Sequence, residues 1–220
     1  MTTYRVAEIF RSLQGEGPSI GTPATFIRLQ GCAVGCSWCD TKFSWPETGG
    51  SPMTIEQLGN ATRREPYVAP LLVVTGGEPL AHPGISDLLA WSLGLWDRVE
   101  VETSGFYAPP IFNARLAYNW SPKLSRVTPK ADATWTHERA FYLAGATCKI
   151  VVGTQDDFTE AVRRLMLGSI PRNRVVIMPQ GVESLDLDDR MRWLAPLCIE
   201  YGYRLSPRLH IQLWGKERGR

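Results

Sequence analysis

The stretch GCAVGCSWCDTKF, residues 31–43, places three cysteines within eight residues: Cys32, Cys36 and Cys39. Their CxxxCxxC spacing favours a cubic [4Fe-4S] cluster, in which three thiolates hold three irons and the fourth iron keeps an open position. Catalytic metal sites leave a position open in the same way, so that a reacting molecule can bind. The alternative is a structural zinc ion with a distant fourth ligand, either Cys148, Cys198 or a histidine.

The composition is that of a globular chain, with 220 residues, 44% hydrophobic and 21% charged, and a core of this size needs no disulfides. Its net charge of +2 comes without a concentrated basic stripe, so we expect no nucleic-acid partner. The start, MTTYRVAEIF, has no apolar signal region, and no run approaches the roughly 18 apolar residues of a membrane span. Five cysteines, three of them close together, are typical of metal-binding thiols in a reducing compartment. We therefore expect a cytoplasmic protein with no membrane contact, formed by one domain over residues 1–220.

Apolar periodicity predicts four helices and about six strands. The helices cover residues 54–64, 85–95, 155–167 and a last stretch ending near residue 201, and capping boxes open two of them, at Thr54 and Thr154. The predicted strands include residues 4–10, 24–29, 71–74, 98–102, 146–152 and 174–178, and residues 116–120 lead into a further polar turn. Residues 11–23, rich in glycine and proline, are predicted to be a loop. Residues 124–139 are predicted to be irregular.

Five motifs come directly after these apolar segments: the cysteine loop (residues 31–43), TGGEP at 75–79, ETSG at 102–105, SPK at 121–123 and MPQG at 178–181. In a sheet of parallel strands they would gather at the carboxyl edge, where barrel enzymes keep their active sites. A plain strand-to-helix turn also explains TGGEP, although its two glycines let the backbone approach a ligand closely. The strands are too few for an eightfold barrel, so we expect an α/β fold that forms an open, abridged TIM-like barrel.

Four polar residues can each be interpreted without a functional role as well as with one. Read alone, Glu16 is a solvated loop residue as readily as a ligand contact, Thr41 helps a turn, and His210 is a strand-end histidine. Arg28 lies inside an apolar strand, so it either faces water or is buried against a partner, because unpaired burial of a charge is costly.

The combination of CxxxCxxC with TGGEP resembles the radical S-adenosylmethionine enzymes. Within that superfamily the chain resembles the 7-carboxy-7-deazaguanine synthase family nearly end to end, through EIFRSLQGEG, FIRLQGC, GCSWCDT, TGGEP, ETSG, SPK, MPQG and SPRLHIQLWG. QGEG near the start with SPRLHxxLWG near the end is the specific pair. The resemblance implies a carbon-nitrogen lyase of queuosine and 7-deazapurine biosynthesis, which turns 6-carboxy-5,6,7,8-tetrahydropterin into 7-carboxy-7-deazaguanine with loss of ammonia. It also implies a homodimer and a C-terminal segment that closes the substrate pocket. Because such a cluster must be reduced from outside, we also expect an external, flavodoxin-like electron donor.

The resemblance also implies roles for individual residues. Cys32, Cys36 and Cys39 would bind the cluster, whose open iron chelates S-adenosylmethionine, and Thr41 would bind Mg²⁺. The S-adenosylmethionine site would comprise Trp38, Cys39, Asp40, Gly77, Ser104, Ser121, Pro122, Lys123 and Gln180. The pterin site would comprise Leu13, Gln14, Gly15, Glu16, Arg28, Thr75 and His210, with Arg28 suited to the substrate carboxylate.

Two other functions compete with this one. A glycyl-radical activating enzyme shares CxxxCxxC and TGGEP but acts on another protein. A non-catalytic iron-sulfur or zinc protein would hold metal without cleaving S-adenosylmethionine.

Overall fold

A single nine-stranded sheet runs through the computed structural model, which describes residues 2–63 and 69–219. Its strand order is β3-β1-β2-β4-β5-β6-β7-β8-β9. The strands are β1 Tyr4–Leu13, β2 Pro23–Leu29, β3 Ser51–Met53, β4 Leu71–Gly76, β5 Arg98–Thr103, β6 Leu116–Trp120, β7 Thr147–Val152, β8 Val175–Pro179 and β9 Arg204–Leu205. Neighbouring strands from β2 to β9 are parallel, whereas β1 is antiparallel to both β2 and β3. The two end strands, β3 and β9, do not pair, so the sheet is open.

Six α-helices accompany the sheet in the described residues: α1 Ile55–Thr62, α2 Ile85–Leu93, α3 Glu138–Leu143, α4 Gln155–Leu167, α5 Ser184–Tyr201 and α6 Leu209–Trp214. Both expected capping boxes are present, at Thr54 with Gln57 and at Thr154 with Asp157. Gly202 caps the C-terminus of α5, directly after Tyr201. Its φ of 70° lies in the left-handed region that glycine adopts without strain. No helix in residues 2–63 and 69–219 is long and apolar enough to cross a membrane.

The two faces of the sheet carry different side chains. On β4, Leu72 and Val74 belong to the large core that includes the buried residues of α2, while Leu71 and Val73 form a smaller cluster with Phe26 on the other face. Strands β5 and β7 alternate in the same way, but there the second face carries charged residues, among them Glu100, Glu102 and Lys149. This second face is therefore apolar near β2 and β4 and charged near β5 and β7.

Residues 14–22 form a loop at the amino edge of the parallel strands, whereas the other motifs lie at the carboxyl edge. Because β1 is antiparallel, Leu13 pairs with Pro23, the first residue of β2, and the chain leaves β1 at the amino edge of the parallel strands. Residues 14–22, which we call the inner loop, then fold back against the second face of the sheet, where β5 carries its charged residues. Gln14 Nε2 donates to carboxylate oxygens of Glu100 and Glu102 at 3.3 and 3.2 Å, and the Ser19 hydroxyl donates to Glu100.

The prediction of an open α/β barrel is confirmed, but the predicted number of elements and some of their boundaries are wrong. The described residues hold nine strands and six helices rather than about six and four. Arg11 to Leu13 continue β1 instead of beginning a loop, since they pair with β2. The short helix α3 starts within the segment predicted to be irregular and extends beyond it. Residue 64, the predicted end of the first helix, lies outside the described residues.

Candidate active site

All five motifs line one cavity of about 730 Å³ at the carboxyl edge, near the upper end of the range of about 300 to 1,000 Å³ that ligand pockets occupy. Each motif contributes lining side chains: Cys36, Thr75, Ser104, Lys123 and Gln180 come from the five loops in turn. The gathering predicted from parallel strands is therefore present. The inner loop supplies the same cavity from the other end of the sheet, through residues 14–16.

The cysteine loop presents Cys32, Cys36 and Cys39 as free, partly exposed thiols in the cavity wall. Trp45 Nε1 donates a hydrogen bond to Cys39 Sγ at 3.3 Å. A Cβ atom at Gly77 of TGGEP would lie 2.4 Å from the Gly31 carbonyl oxygen and 2.6 Å from Cys32 Cβ. Glycine is therefore required there for TGGEP to pack against the cysteine loop.

The donor set fits a cluster better than a zinc ion. Structural zinc takes four ligands on one ion, and within residues 2–63 and 69–219 not even three histidine, cysteine or acidic side chains are grouped around one ion position. An iron-sulfur cluster instead takes each thiolate on a separate iron. Cys148 and Cys198 are 1% and 3% exposed in the core, as expected. Burial raises the pKa of the Cys148 thiol and raises that of Cys198 to about 11. Neither is available as a fourth ligand.

Burial also raises the pKa of the Cys32 and Cys36 thiols. The positive charge of Lys123 opposes this effect at Cys36, and backbone N–H groups of Val34 and Gly35 oppose it at Cys32. Iron binding must therefore displace protons from these thiols, as is general for thiolate ligands.

Glu78 of TGGEP ties that motif to ETSG. Its buried carboxylate accepts hydrogen bonds from Thr103 Oγ1 at 2.7 Å, from Ser104 N at 2.9 Å and from the Ser104 hydroxyl. It also accepts from Leu80 N at 3.1 Å. Because the carboxylate is saturated with donors, the two loops hold a fixed relative position.

A buried lysine joins two carboxylates at the centre of the cavity. Lys149 Nζ, whose side chain is 4% exposed, lies 2.6 Å from both Glu16 Oε2 and Glu102 Oε2. Burial would lower the Lys149 pKa, but these carboxylates raise it overall, so the amine is protonated. Burial would raise the pKa of Glu16, yet Lys149, Arg208 and His210 together hold it well below its usual range. At Glu102 burial prevails, helped by the charge of Glu16, and the pKa is raised.

Three further groups complete the cavity wall. Arg28 Nε donates to Glu8 Oε1 at 2.7 Å. Of the two alternatives for Arg28, exposure to water or burial against a partner, the structure shows the second. His210, on α6 and not on a strand, has Nε2 3.9 Å from Glu16 Oε1. Burial lowers its pKa, with the charge of Arg208 adding to that effect and Glu16 opposing it. Arg208 contacts Glu16, Asp40 and the Gly181 carbonyl.

The chain end also reaches the cavity, where residues 215–219 form part of the wall. The Arg218 guanidinium lies 3.7 Å from the Phe43 ring centroid and 3.4 Å from Glu8 Oε2. Lys216 forms an exposed ion pair with Glu183. The C-terminal residues therefore span from the cysteine loop and β1 on one side to the segment before α5 on the other.

Of the site residues named from sequence, all line this cavity except Pro122, which is buried within the SPK turn. The roles of Glu78, Glu102, Lys149 and Arg208 were not predicted from the sequence. A signal existed for two of them, since Glu102 and Lys149 are charged residues inside the apolar strands RVEVET and TCKIVV.

Comparison with known proteins gives consistent relatives, although no protein-family model matches the chain. The 7-carboxy-7-deazaguanine synthase of Pyrobaculum aerophilum is 40% identical over 222 residues, covering 98% of this chain and 97% of that protein. The Escherichia coli K12 protein of the same name is 33% identical over 234 residues, covering 96% and 98%. The crystal structure of QueE from Escherichia coli superposes with a TM-score of 0.72 at 30% identity, covering 94% and 95%.

Streptococcus suis SuiB bound to S-adenosylmethionine superposes with a TM-score of 0.52 over 81% of this chain and 44% of that one. Its 14% identity supports the fold alone.

An open, mostly parallel sheet with a three-cysteine loop at its carboxyl edge defines the class, that of the radical S-adenosylmethionine enzymes. Within this class the chain belongs to the 7-carboxy-7-deazaguanine synthase family, because full-length relatives of that name reach 40% identity. The resemblance seen in the motifs is confirmed.

Proposed function

We propose that this chain is a 7-carboxy-7-deazaguanine synthase, a lyase that converts 6-carboxy-5,6,7,8-tetrahydropterin into 7-carboxy-7-deazaguanine and releases ammonia. The observation that carries the proposal is the match to relatives of that name over 96% to 98% of the chain. The match also covers 97% and 98% of those two relatives, so it spans nearly the whole of both chains. The product serves queuosine and 7-deazapurine biosynthesis.

On the cofactor side, Cys32, Cys36 and Cys39 would hold a [4Fe-4S] cluster, and S-adenosylmethionine would lie along the loops after β4, β5, β6 and β8. When bound, the two supply the radical that removes a hydrogen from C6 of the pterin. The chain's own residues hold these loops in place, through Glu78 between TGGEP and ETSG and through Lys123 Nζ, which donates to Ser121 Oγ at 3.1 Å.

On the substrate side, Gln14 and an ionised Glu16 offer acceptors and donors to the edge of the pterin ring. Arg28 uses only Nε to bind Glu8, so its two terminal nitrogens can form the bidentate pair that a carboxylate prefers. A site built on such bonds rejects analogues that lack the matching groups by about 10⁴-fold or more.

Thr41 is proposed as the protein ligand of Mg²⁺. Its Oγ1 is a hard oxygen donor at the cavity wall, 3.5 Å from Cys39 Sγ. Magnesium keeps several waters and substrate oxygens in its octahedral shell, so one hydroxyl together with the substrate carboxylate suffices. Omitting Mg²⁺ should raise the KM for the pterin more than it lowers kcat.

Further parts of the proposal rest on the family resemblance, on the length and composition of the chain, and on the need to reduce the cluster from outside. We infer that the protein is a cytoplasmic homodimer and that each chain forms a single domain. We also infer that a flavodoxin-like donor reduces the cluster and that the C-terminal segment closes the substrate pocket. Residues 215–219 in the cavity wall support the closing segment. The five free cysteines fit a reducing compartment. Sedimentation of the reconstituted protein tests the dimer.

The decisive experiment is anaerobic incubation of reconstituted protein with 6-carboxytetrahydropterin, S-adenosylmethionine, Mg²⁺ and reductant. We expect 7-carboxy-7-deazaguanine from the wild type and none from Cys36→Ala. Absence of product from wild type with a fully loaded cluster would end the proposal. A stable organic radical on a partner protein would indicate a glycyl-radical activating enzyme instead. Bound zinc with no 5′-deoxyadenosine would leave only a structural role.

A further inference from the structure

Hydrogen bonds on both sides fix the segment that carries Arg208. It lies between β9 and α6, where Leu209 N donates to the Gly15 carbonyl at 2.9 Å. On its other side, Ser206 N donates to the Ile177 carbonyl at 2.9 Å, and Ser206 Oγ accepts from Gly17 N at 3.0 Å. The segment that carries Arg208 is therefore joined to the inner loop and to β8.

The side chain of Arg208 connects three separate parts of the cavity. Nε lies 3.0 Å from Glu16 Oε1 of the inner loop, and Nη1 donates to the Gly181 carbonyl at 2.6 Å after β8. Nη2 donates to Asp40 Oδ2 in the cysteine loop. The Arg208 side chain is 11% exposed and that of Glu16 16%, so water competes little with the bond between them, and charge-assisted bonds of this kind are the strong ones.

The two acidic partners differ in how much they depend on Arg208. Glu16 also binds Lys149. Asp40 has Arg208 as its only ion-pair partner among residues 2–63 and 69–219, and its side chain is 36% exposed. Asp40 directly follows the third cluster cysteine, so the guanidinium is the electrostatic tie between the cysteine loop and the substrate-side carboxylate.

We propose that Arg208 is a positioning residue that sets the distance between the cysteine loop, at Asp40, and the pterin-binding carboxylate of Glu16. Its planar fork can reach three acceptors in fixed directions, whereas a lysine offers one point charge. Without the fork, the cysteine loop and the substrate move relative to each other. Radical formation then becomes uncoupled from substrate turnover, so that S-adenosylmethionine is cleaved without product being formed. This consequence rests on the proposed function.

The first test does not involve substrate. Hydrogen exchange of the reconstituted protein is compared for wild type, Arg208→Lys, Asp40→Asn and Arg164→Lys. Arg164 is a matched control, because it also bridges two carboxylates, Glu160 and Asp132, with a side chain 13% exposed, but lies outside the cavity. Loss of one charge-assisted bond should raise exchange in residues 31–45 about tenfold in Arg208→Lys and Asp40→Asn. Arg164→Lys should leave that segment at the wild-type rate.

The second test adds the pterin and S-adenosylmethionine. The ratio of 5′-deoxyadenosine released to 7-carboxy-7-deazaguanine formed should rise about tenfold in Arg208→Lys and Asp40→Asn, since small displacements at a reacting centre carry large rate effects. The double variant should be no worse than Arg208→Lys, because both changes break the same tie.

The outcomes separate the positioning role from the proposed reaction. Unchanged exchange in residues 31–45 of both variants overturns the positioning role, and so does an equal rise in Arg164→Lys, which would reflect general destabilisation. A wild-type product ratio in Arg208→Lys overturns it as well. If exchange rises as expected but no protein forms product, the tie is supported and the proposed reaction is the part that fails.

Discussion

Trp45 Nε1 lies 3.3 Å from Cys39 Sγ and donates a hydrogen bond to it. Hydrogen bonds to cluster sulfurs stabilise the more negative, reduced state and raise the reduction potential. Replacing Trp45 with phenylalanine keeps the apolar ring and removes the donor. We expect the cluster potential to fall by on the order of 20 to 60 mV, the equivalent of about one hydrogen bond for a one-electron couple.

A redox titration followed by electron paramagnetic resonance measures this shift. The control is Trp91→Phe, since Trp91, on α2, packs against Trp96 and does not line the cavity. An unchanged potential in Trp45→Phe would show that the indole contributes packing only.

Gly77→Ala should prevent cluster assembly. The added Cβ would lie 2.4 Å from the Gly31 carbonyl oxygen, a contact that only a backbone shift relieves, so the cysteine loop must move. Iron and sulfide content per chain after reconstitution measures the loss. Gly59→Ala is the control, because its Cβ would lie at an ordinary contact distance of 3.5 Å from Trp91 and alanine favours a helix by about 1 kcal/mol over glycine. Full loading of Gly77→Ala would contradict the close packing.

Lys149→Met should destabilise the fold and abolish turnover. Removing the ammonium leaves Glu16 and Glu102 facing each other inside the cavity, and breaking a buried ion pair costs about 3 to 5 kcal/mol. Thermal unfolding of matched preparations shows the loss as a lower Tm. Lys216→Met removes an ion pair whose side chains are more than 60% exposed, which should change stability by about 1 kcal/mol or less. Equal effects of the two changes would mean that the central pair is not structurally important.

His210 should be neutral at pH 7. Burial lowers its pKa, so protonation favours the unfolded chain, and its contribution to folding stability falls as pH drops from about 6.5 towards the folded-state pKa. Burial lowers the pKa of His82 in the same way. The chain has three histidines, so a proton NMR titration can assign each resonance by its absence from His210→Gln or His82→Gln. A His210 midpoint above 6.5 would contradict the buried environment.

Arg218→Ala should weaken substrate binding without affecting the fold. Arg218 holds the chain end over Phe43 and near Glu8, and a cation-π contact of this kind is worth about 1 kcal/mol. We expect the KM for the pterin to rise about fivefold with kcat and Tm unchanged. Arg192→Ala is the control, since its ion pair with Asp189 lies exposed on α5. No change in KM would count against the closing role of the C-terminal segment.

The carboxyl-edge loops could be predicted from the sequence because each motif follows an apolar run, and parallel strands bring such ends together. The core positions of Cys148 and Cys198 followed from strand and helix periodicity. The ion pairs could not be predicted, because partners such as Lys149 and Glu16 are 133 residues apart and a charged strand residue does not indicate its partner. Nor could the path of the inner loop, which depends on the pairing of Leu13 with Pro23.

The antiparallel first strand has a consequence for how such an enzyme can diversify. Under the proposed function, Gln14 and Glu16 reach the pterin ring from the amino edge of the parallel strands, whereas the cluster cysteines and the loops proposed for S-adenosylmethionine lie at the carboxyl edge. Insertions in residues 14–22 would then remodel ring selection while the cysteine loop stays unchanged, provided that the Arg208 guanidinium keeps both of its acidic neighbours.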